Sequence, residues 1–139
     1  MSFTELVQVV DPEGQVTDES ALKGISEDVL HNMYRLMVFT RAWNAKALSL
    51  QRQGRMGTLA SVKGQEAANV GMGLALGPDD WFCPSFREFG AMFARGINPL
   101  DLYSYWGGDE RGARPTAGRR VLPVCITVGS HLLHAAGIA

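Results

Sequence analysis

The strongest constraint on the fold of this chain is a long helical signature that starts at Ser26 and runs to about Gln53. Ser26 is a good N-cap, and Glu27 and Asp28 follow it in the first turn, where carboxylates favour the positive end of the helix dipole. Leu30, Met33, Tyr34, Met37, Val38, Trp43 and Leu48 supply an apolar side broad enough to predict burial on more than one face. Gly54 ends the run. His31 has no second metal-binding residue at helical spacing and reads as a surface histidine.

A chain of 139 residues, 46% hydrophobic and 19% charged, has the length for one domain with a real core. Its formal net charge of −1 gives no reason to expect nucleic acid or an acidic membrane as a partner. The N-terminus lacks a charged leader followed by an apolar core, and no stretch reaches bilayer-spanning length, so the expectation is a cytoplasmic protein without membrane contact. Cys83 and Cys125 lie far apart in apolar runs without CxxC spacing, which favours buried free thiols over a disulfide or metal ligands.

Residues 1–25 read as an N-terminal arm with one short strand, as in Leu6-Val7-Gln8-Val9-Val10, and a turn at Asp11-Pro12-Glu13-Gly14. Residues 26–139 form the main domain. Thr58 to Lys63 reads as a strand or an extended loop. Gly64 to Leu76 reads as a helix rich in alanine and glycine, stopped by Gly77-Pro78. Glycine inside a helix costs about 0.5–1 kcal/mol relative to alanine, so Gly71 and Gly73 predict close approach of another backbone. Their spacing is not a dinucleotide fingerprint and does not precede a helix.

Trp81-Phe82-Cys83-Pro84-Ser85 is an apolar run that hands over to a predicted helix from Phe86 to about Arg95. Arg87 in the first turn would combine a guanidinium fork with unpartnered backbone N–H groups, which makes an anion site. The competing reading pairs Arg87 with Glu88 or leaves it solvated. Asn98 and Pro99 then start another helix, which carries Leu102, Tyr103, Tyr105 and Trp106 and stops at Gly107-Gly108. The loop from Asp109 to Arg120 holds Arg111, Arg114, Arg119 and Arg120; it either binds phosphate or is solvated. No aromatic residues interleave with these arginines, against a nucleic-acid role.

Val121 to Val128 is β-prone, and Gly129-Ser130 leads into a helix from His131 to Ala139 that has no stop signal. A helix so short is marginal in water, so the sequence is expected to break off inside an element. His131 and His134 could share a face, with packing the default and metal binding the alternative. Residues alone thus reach a helix-rich α/β chain with a candidate anion site at Arg87.

Three ordered motifs add more: Gly64-Gln65-Glu66-Ala67, Pro84-Ser85-Phe86-Arg87-Glu88, and Val121-Leu122-Pro123 leading to Ile126-Thr127-Val128-Gly129-Ser130. Together they resemble the alpha subunits of the thiamine-diphosphate-dependent 2-oxo acid dehydrogenases, nearest to the bacterial subunits that act on pyruvate. The resemblance spans roughly residues 28–139. It implies an α/β fold, here the helix-rich N-terminal part of a thiamine-diphosphate-binding domain with few short strands. It places Phe86 and Arg87 on the cofactor diphosphate and the backbone of Ile126 and Val128 on its aminopyrimidine ring. Tyrosine is usual in the family where this chain has Phe86, which removes a hydroxyl donor. His131 stands where many relatives have glutamine, leaving its role open.

The resemblance also implies magnesium, with ligands expected beyond Ala139, and no catalytic residue within this chain. The glutamate that activates the aminopyrimidine belongs to a beta subunit, with which a heterotetramer is implied. The reaction implied is oxidative decarboxylation of pyruvate with acyl transfer to the lipoyl group of an acyltransferase. On this reading the chain alone is inactive. The alternatives are a branched-chain 2-oxo acid or acetoin dehydrogenase alpha subunit and a non-catalytic interaction module.

Overall fold

Ser26 opens the long helix as its sequence position predicts, its hydroxyl accepting from the Val29 N–H at 3.3 Å, and helix α1 runs over Glu27–Arg52. The computed structural model describes residues 7–114 and 118–139, which divide into two units, Met1–His31 and Asn32–Ala139. In the first unit the Asp11–Gly14 turn closes with a Gly14 N–H to Asp11 C=O bond of 3.0 Å, and the Asp11 carboxylate accepts from Gln15 N–H at 2.7 Å. The expected strand is reduced there to one antiparallel bridge between Val10 and Val16. Its first residue, Leu6, lies outside the described residues. A 3-10 turn at Glu19–Leu22 follows, capped by Asp18.

In the second unit α1 buries a single stripe, Thr40, Trp43, Asn44 and Ala47. The expected burial on more than one face is not met: Tyr34 is 67% and Val38 50% exposed. Nothing described in the second unit covers that side. The buried stripe faces an aromatic cluster, with the Trp43 ring 4.7 Å from Phe89, 4.8 Å from Tyr103 and 5.5 Å from Phe93. Offset and edge-on aromatic pairs of this kind add about 0.5–1.5 kcal/mol each beyond their burial.

Helices α2 (Glu66–Ala75) and α3 (Phe89–Ala94) pack through glycine. A Cβ at Gly73 would stand 2.7 Å from the Ala91 Cα, and one at Gly90 would stand 2.9 Å from the Asn69 Cβ. Gly73 therefore meets a neighbouring backbone as predicted, whereas Gly71 has open space around it. Helix α4 (Pro99–Trp106) begins as its sequence predicts, with the Asn98 side chain accepting from Leu100 N–H at 3.0 Å and Pro99 in the first turn.

Among the described residues the β-prone run from Val121 forms no ladder. A strand needs a neighbour for its N–H and C=O groups, and among the described residues the run is limited to one parallel bridge, Val121 to Phe82. Phe82 N–H donates to Arg120 C=O at 2.8 Å and Leu122 N–H to Phe82 C=O at 2.9 Å. Arginines secure the approach to this bridge. Arg95 donates to the Gly77 and Asp80 carbonyls at 2.8 and 3.0 Å, and Arg120 donates to Asp79 C=O at 2.8 Å. Helix α5 (Ser130–Ile138) has no buried residue. The fold of the described residues is helix-rich, and no helix among them is long and apolar enough to cross a membrane.

Candidate functional site

The site is built on an extended segment, Met56 to Lys63, that joins α1 to α2. Having no regular ladder, it depends on bonds to its surroundings for a fixed path. Gly57 N–H donates to Trp106 C=O at 2.8 Å near one end. At the other end, Asn44 of α1 accepts from Val62 N–H at 3.0 Å through Oδ1 and donates to Ser61 Oγ at 3.2 Å through Nδ2. Val62 and Leu59 are buried in the core.

Arg87 reaches this segment. Its Nη1 donates to the Ser61 carbonyl, and its guanidinium carbon lies 5.7 Å from the Phe86 ring centroid, within cation–π range. Among the described residues no other protein group accepts from the Arg87 side chain, so most of its fork is available to a ligand. The helix-terminus form of the anion site is corrected here. Helix α3 starts at Phe89, Phe86 and Arg87 precede it, and Glu88 Oε2 accepts the Arg87 N–H at 3.0 Å. That carboxylate occupies a backbone donor that an anion would need. What the geometry leaves open to an anion at this point is the guanidinium.

Ile126 and Val128 lie after the second half of the parallel bridge. Both are exposed, Val128 to 80%, and among the described residues neither makes a backbone hydrogen bond. Ile126 lines an open cavity of about 420 Å³ with Gly57, Thr58, Trp106 and Glu110. No hydrogen bond joins Ile126 or Val128 to Phe86 or Arg87 among the described residues. What links the two pairs is direction. The segments that lead to them run parallel at the Phe82–Val121 bridge.

Glu66 is buried at the start of α2 and accepts from Arg41 Nε at 2.7 Å, Arg41 Nη2 at 2.9 Å and Gly64 N–H at 2.9 Å. These bonds, led by the Arg41 guanidinium, outweigh burial and hold its carboxyl at about 2. The pair borders an apolar groove lined by Tyr34, Met37, Val38 and Ala42.

Other candidates are accounted for more simply. Arg111 pairs with Asp109 at 2.7 Å and Arg120 with Asp79 at 3.1 Å, so these arginines are engaged, while Pro115 to Ala117 lie outside the described residues. Cys83 and Cys125 are free thiols but half-buried rather than buried, and burial still pushes the Cys83 thiol up. His131 is half-buried and His134 exposed. Among the described residues no group of three or more His, Cys, Asp or Glu side chains could hold a metal. Sequence reasoning missed Asn44 and Ser61 as parts of the site. The available signal was an amide inside the apolar pattern of α1.

Comparison with known proteins bears on this geometry. The model of the family described as Dehydrogenase E1 component matches residues 34–139. The chain is 41% identical over 135 residues to the pyruvate dehydrogenase E1 component subunit alpha of Mycoplasma pneumoniae, covering 97% of this chain and 38% of that protein. It is 40% identical over 129 residues to the subunit of the same name from Acholeplasma laidlawii, covering 93% and 37%. To the 3-methyl-2-oxobutanoate dehydrogenase subunit alpha of Mycobacterium tuberculosis it is 35% identical over 136 residues, covering 97% and 37%. The chain thus spans less than two-fifths of the length of these relatives. With the family model matching from within α1 to Ala139, this chain belongs to the Dehydrogenase E1 component family.

Proposed function

We propose that this chain supplies part of the alpha subunit of a thiamine-diphosphate-dependent pyruvate dehydrogenase, and that Arg87 anchors the diphosphate. The observation that carries the proposal is the Arg87 fork, steadied by one bond to Ser61 C=O and otherwise without a protein acceptor among the described residues. A diphosphate is the ligand whose oxygens suit that fork. When bound, thiamine diphosphate supplies the nucleophilic carbon and electron sink that decarboxylation of a 2-oxo acid requires.

The chain's own residues bind and orient. Phe86 contributes an apolar face beneath the guanidinium without a hydroxyl donor. The unpaired backbone groups of Ile126 and Val128 suit the aminopyrimidine ring, and their exposure leaves room for a partner surface. On this reading residues 1–25 are an arm and residues 26–139 a part of an α/β thiamine-diphosphate-binding domain. Its magnesium is held by other residues of the subunit, and the assembly includes a beta subunit and a lipoyl-bearing acyltransferase.

Calorimetry with thiamine diphosphate and magnesium tests the reading. Binding is expected to the full-length subunit with its beta partner and little or none to this chain alone. Arg87→Ala in that assembly should weaken binding at least tenfold, in line with loss of a charge-assisted contact of about 1.5–3 kcal/mol. Unchanged affinity would remove Arg87 from the site. A second substrate class is favoured by the 35% identity to the 3-methyl-2-oxobutanoate enzyme. Turnover of pyruvate against 3-methyl-2-oxobutanoate on the assembly separates them, with pyruvate expected to be faster.

A further inference from the structure

We infer that Asn44 is a positioning residue for Arg87, acting through Ser61. The inference rests on the proposed diphosphate contact of Arg87 and adds to it the part of α1 that prepares that contact. Asn44 is 3% exposed, on the same stripe as Trp43 and Ala47. A carboxamide in such a place is costly unless both its ends are paired. Both are paired, and to consecutive residues of the same segment. Oδ1 accepts from Val62 N–H at 3.0 Å and Nδ2 donates to Ser61 Oγ at 3.2 Å. Ser61 Oγ in turn accepts from Lys63 N–H at 3.2 Å.

These bonds define the direction of the Ser61 peptide. Without a sheet or helix ladder at Ser61, the side-chain amide does the work that neighbouring strands do elsewhere. The Ser61 carbonyl then accepts from Arg87, which is 26 residues further along the chain. An arginine has many rotamers in water. Holding it at one N–H before a ligand arrives removes part of the ordering cost from binding. The two bonds of Asn44 therefore bear on ligand affinity, beyond what they do for stability.

The buried polar atoms nearby support a specific role over general packing. Thr40, one turn earlier on the stripe, satisfies its hydroxyl within α1, on Leu36 C=O at 2.7 Å. Asn44 instead spends both ends on the segment that meets Arg87. An apolar residue of similar size would avoid the cost of burying an amide, and would leave Val62 N–H and Ser61 without these partners.

The test is a double-mutant cycle in the full-length subunit with its beta partner, read as the dissociation constant of thiamine diphosphate with magnesium by calorimetry. Asn44→Ala is expected to weaken binding roughly three- to tenfold, the range for one side chain that must be ordered on binding. In an Arg87→Ala background the same substitution should change affinity less than twofold, because coupled residues are not additive. Tyr103→Phe, which removes a half-buried 3.0 Å bond to Trp43 C=O, should lower thermal stability without moving the affinity. Ser61→Ala removes the side-chain bond to Asn44 but keeps the carbonyl, and should weaken binding by about half as much on a logarithmic scale.

Equal losses from Asn44→Ala with and without Arg87 would overturn the inference and leave the Arg87 assignment standing. If Asn44→Ala does not fold, unchanged affinity in Ser61→Ala overturns it. Wild-type affinity in Arg87→Ala alone would overturn the diphosphate reading as well.

Discussion

The segment gripped by α1 and the helix α5 are built in opposite ways. The first is held by paired polar groups around a buried core, with Asn44, Glu66 and Arg87 all bonding to residues 61–64. The second is apolar and bare. Leu133 is 77% exposed, and α5 buries none of its residues. Rigid placement therefore comes from satisfied polar bonds in a water-poor setting, whereas apolar sequence by itself places nothing until another surface covers it.

Substitutions can break that contrast, and the largest effect belongs to the aromatic core around Trp43. Phe89→Ala should cost about 3–5 kcal/mol in urea unfolding, because the ring is fully buried beside Trp43 and Trp106. Glu66→Gln should cost about 1–3 kcal/mol, since it weakens a buried acceptor of three N–H groups.

The same carboxylate sets a pH dependence. Its folded value of about 2 is below the ordinary 4.5, so its contribution is fully present above pH 4.5 and is lost as pH falls towards 2. An acid titration of stability should lose part of its slope over that window in Glu66→Gln; an unchanged slope would contradict the ion pair. Tyr103→Phe should cost about 0.5–1.5 kcal/mol. Leu133→Ser should fall within about 0.5 kcal/mol of the parent chain. In hydrogen exchange the α5 amides should open well before those of α2 and α3. A large loss from Leu133→Ser would mean that α5 is packed after all.

Much of the helical layout was legible from local chemistry. Ser26, Asn98 and Pro99 mark helix starts because their side chains or fixed dihedrals act within one turn. Gly54 and Gly107 mark ends for similar local reasons. The start of α3 was misplaced by three residues, because the Glu88 carboxylate captures the Arg87 N–H and no sequence pattern ranks that bond above helix propagation. The Val121–Val128 run was overread as β structure, since strand propensity does not supply the partner on which a ladder depends. Gly73 and Gly71 looked alike in sequence, and only the position of Ala91 separates them.

In the candidate site, Arg87 stood out in the sequence as a candidate anion ligand beside the competing reading of a solvated arginine, and the family motifs stood out from their order along the chain. Asn44 was not, because its two partners lie 17 and 18 residues away and meet it only after α1 and the extended segment pack. By itself the sequence determined the starts of α1 and α4, the glycine stops and the presence of a guanidinium between two apolar runs, since each depends on interactions within a few residues. Only the tertiary structure decided which side of α1 is buried, which glycine touches a backbone and which carbonyl holds Arg87. Those outcomes require residues far apart in sequence to meet, and their partners are selected by packing and by the need to satisfy buried polar groups.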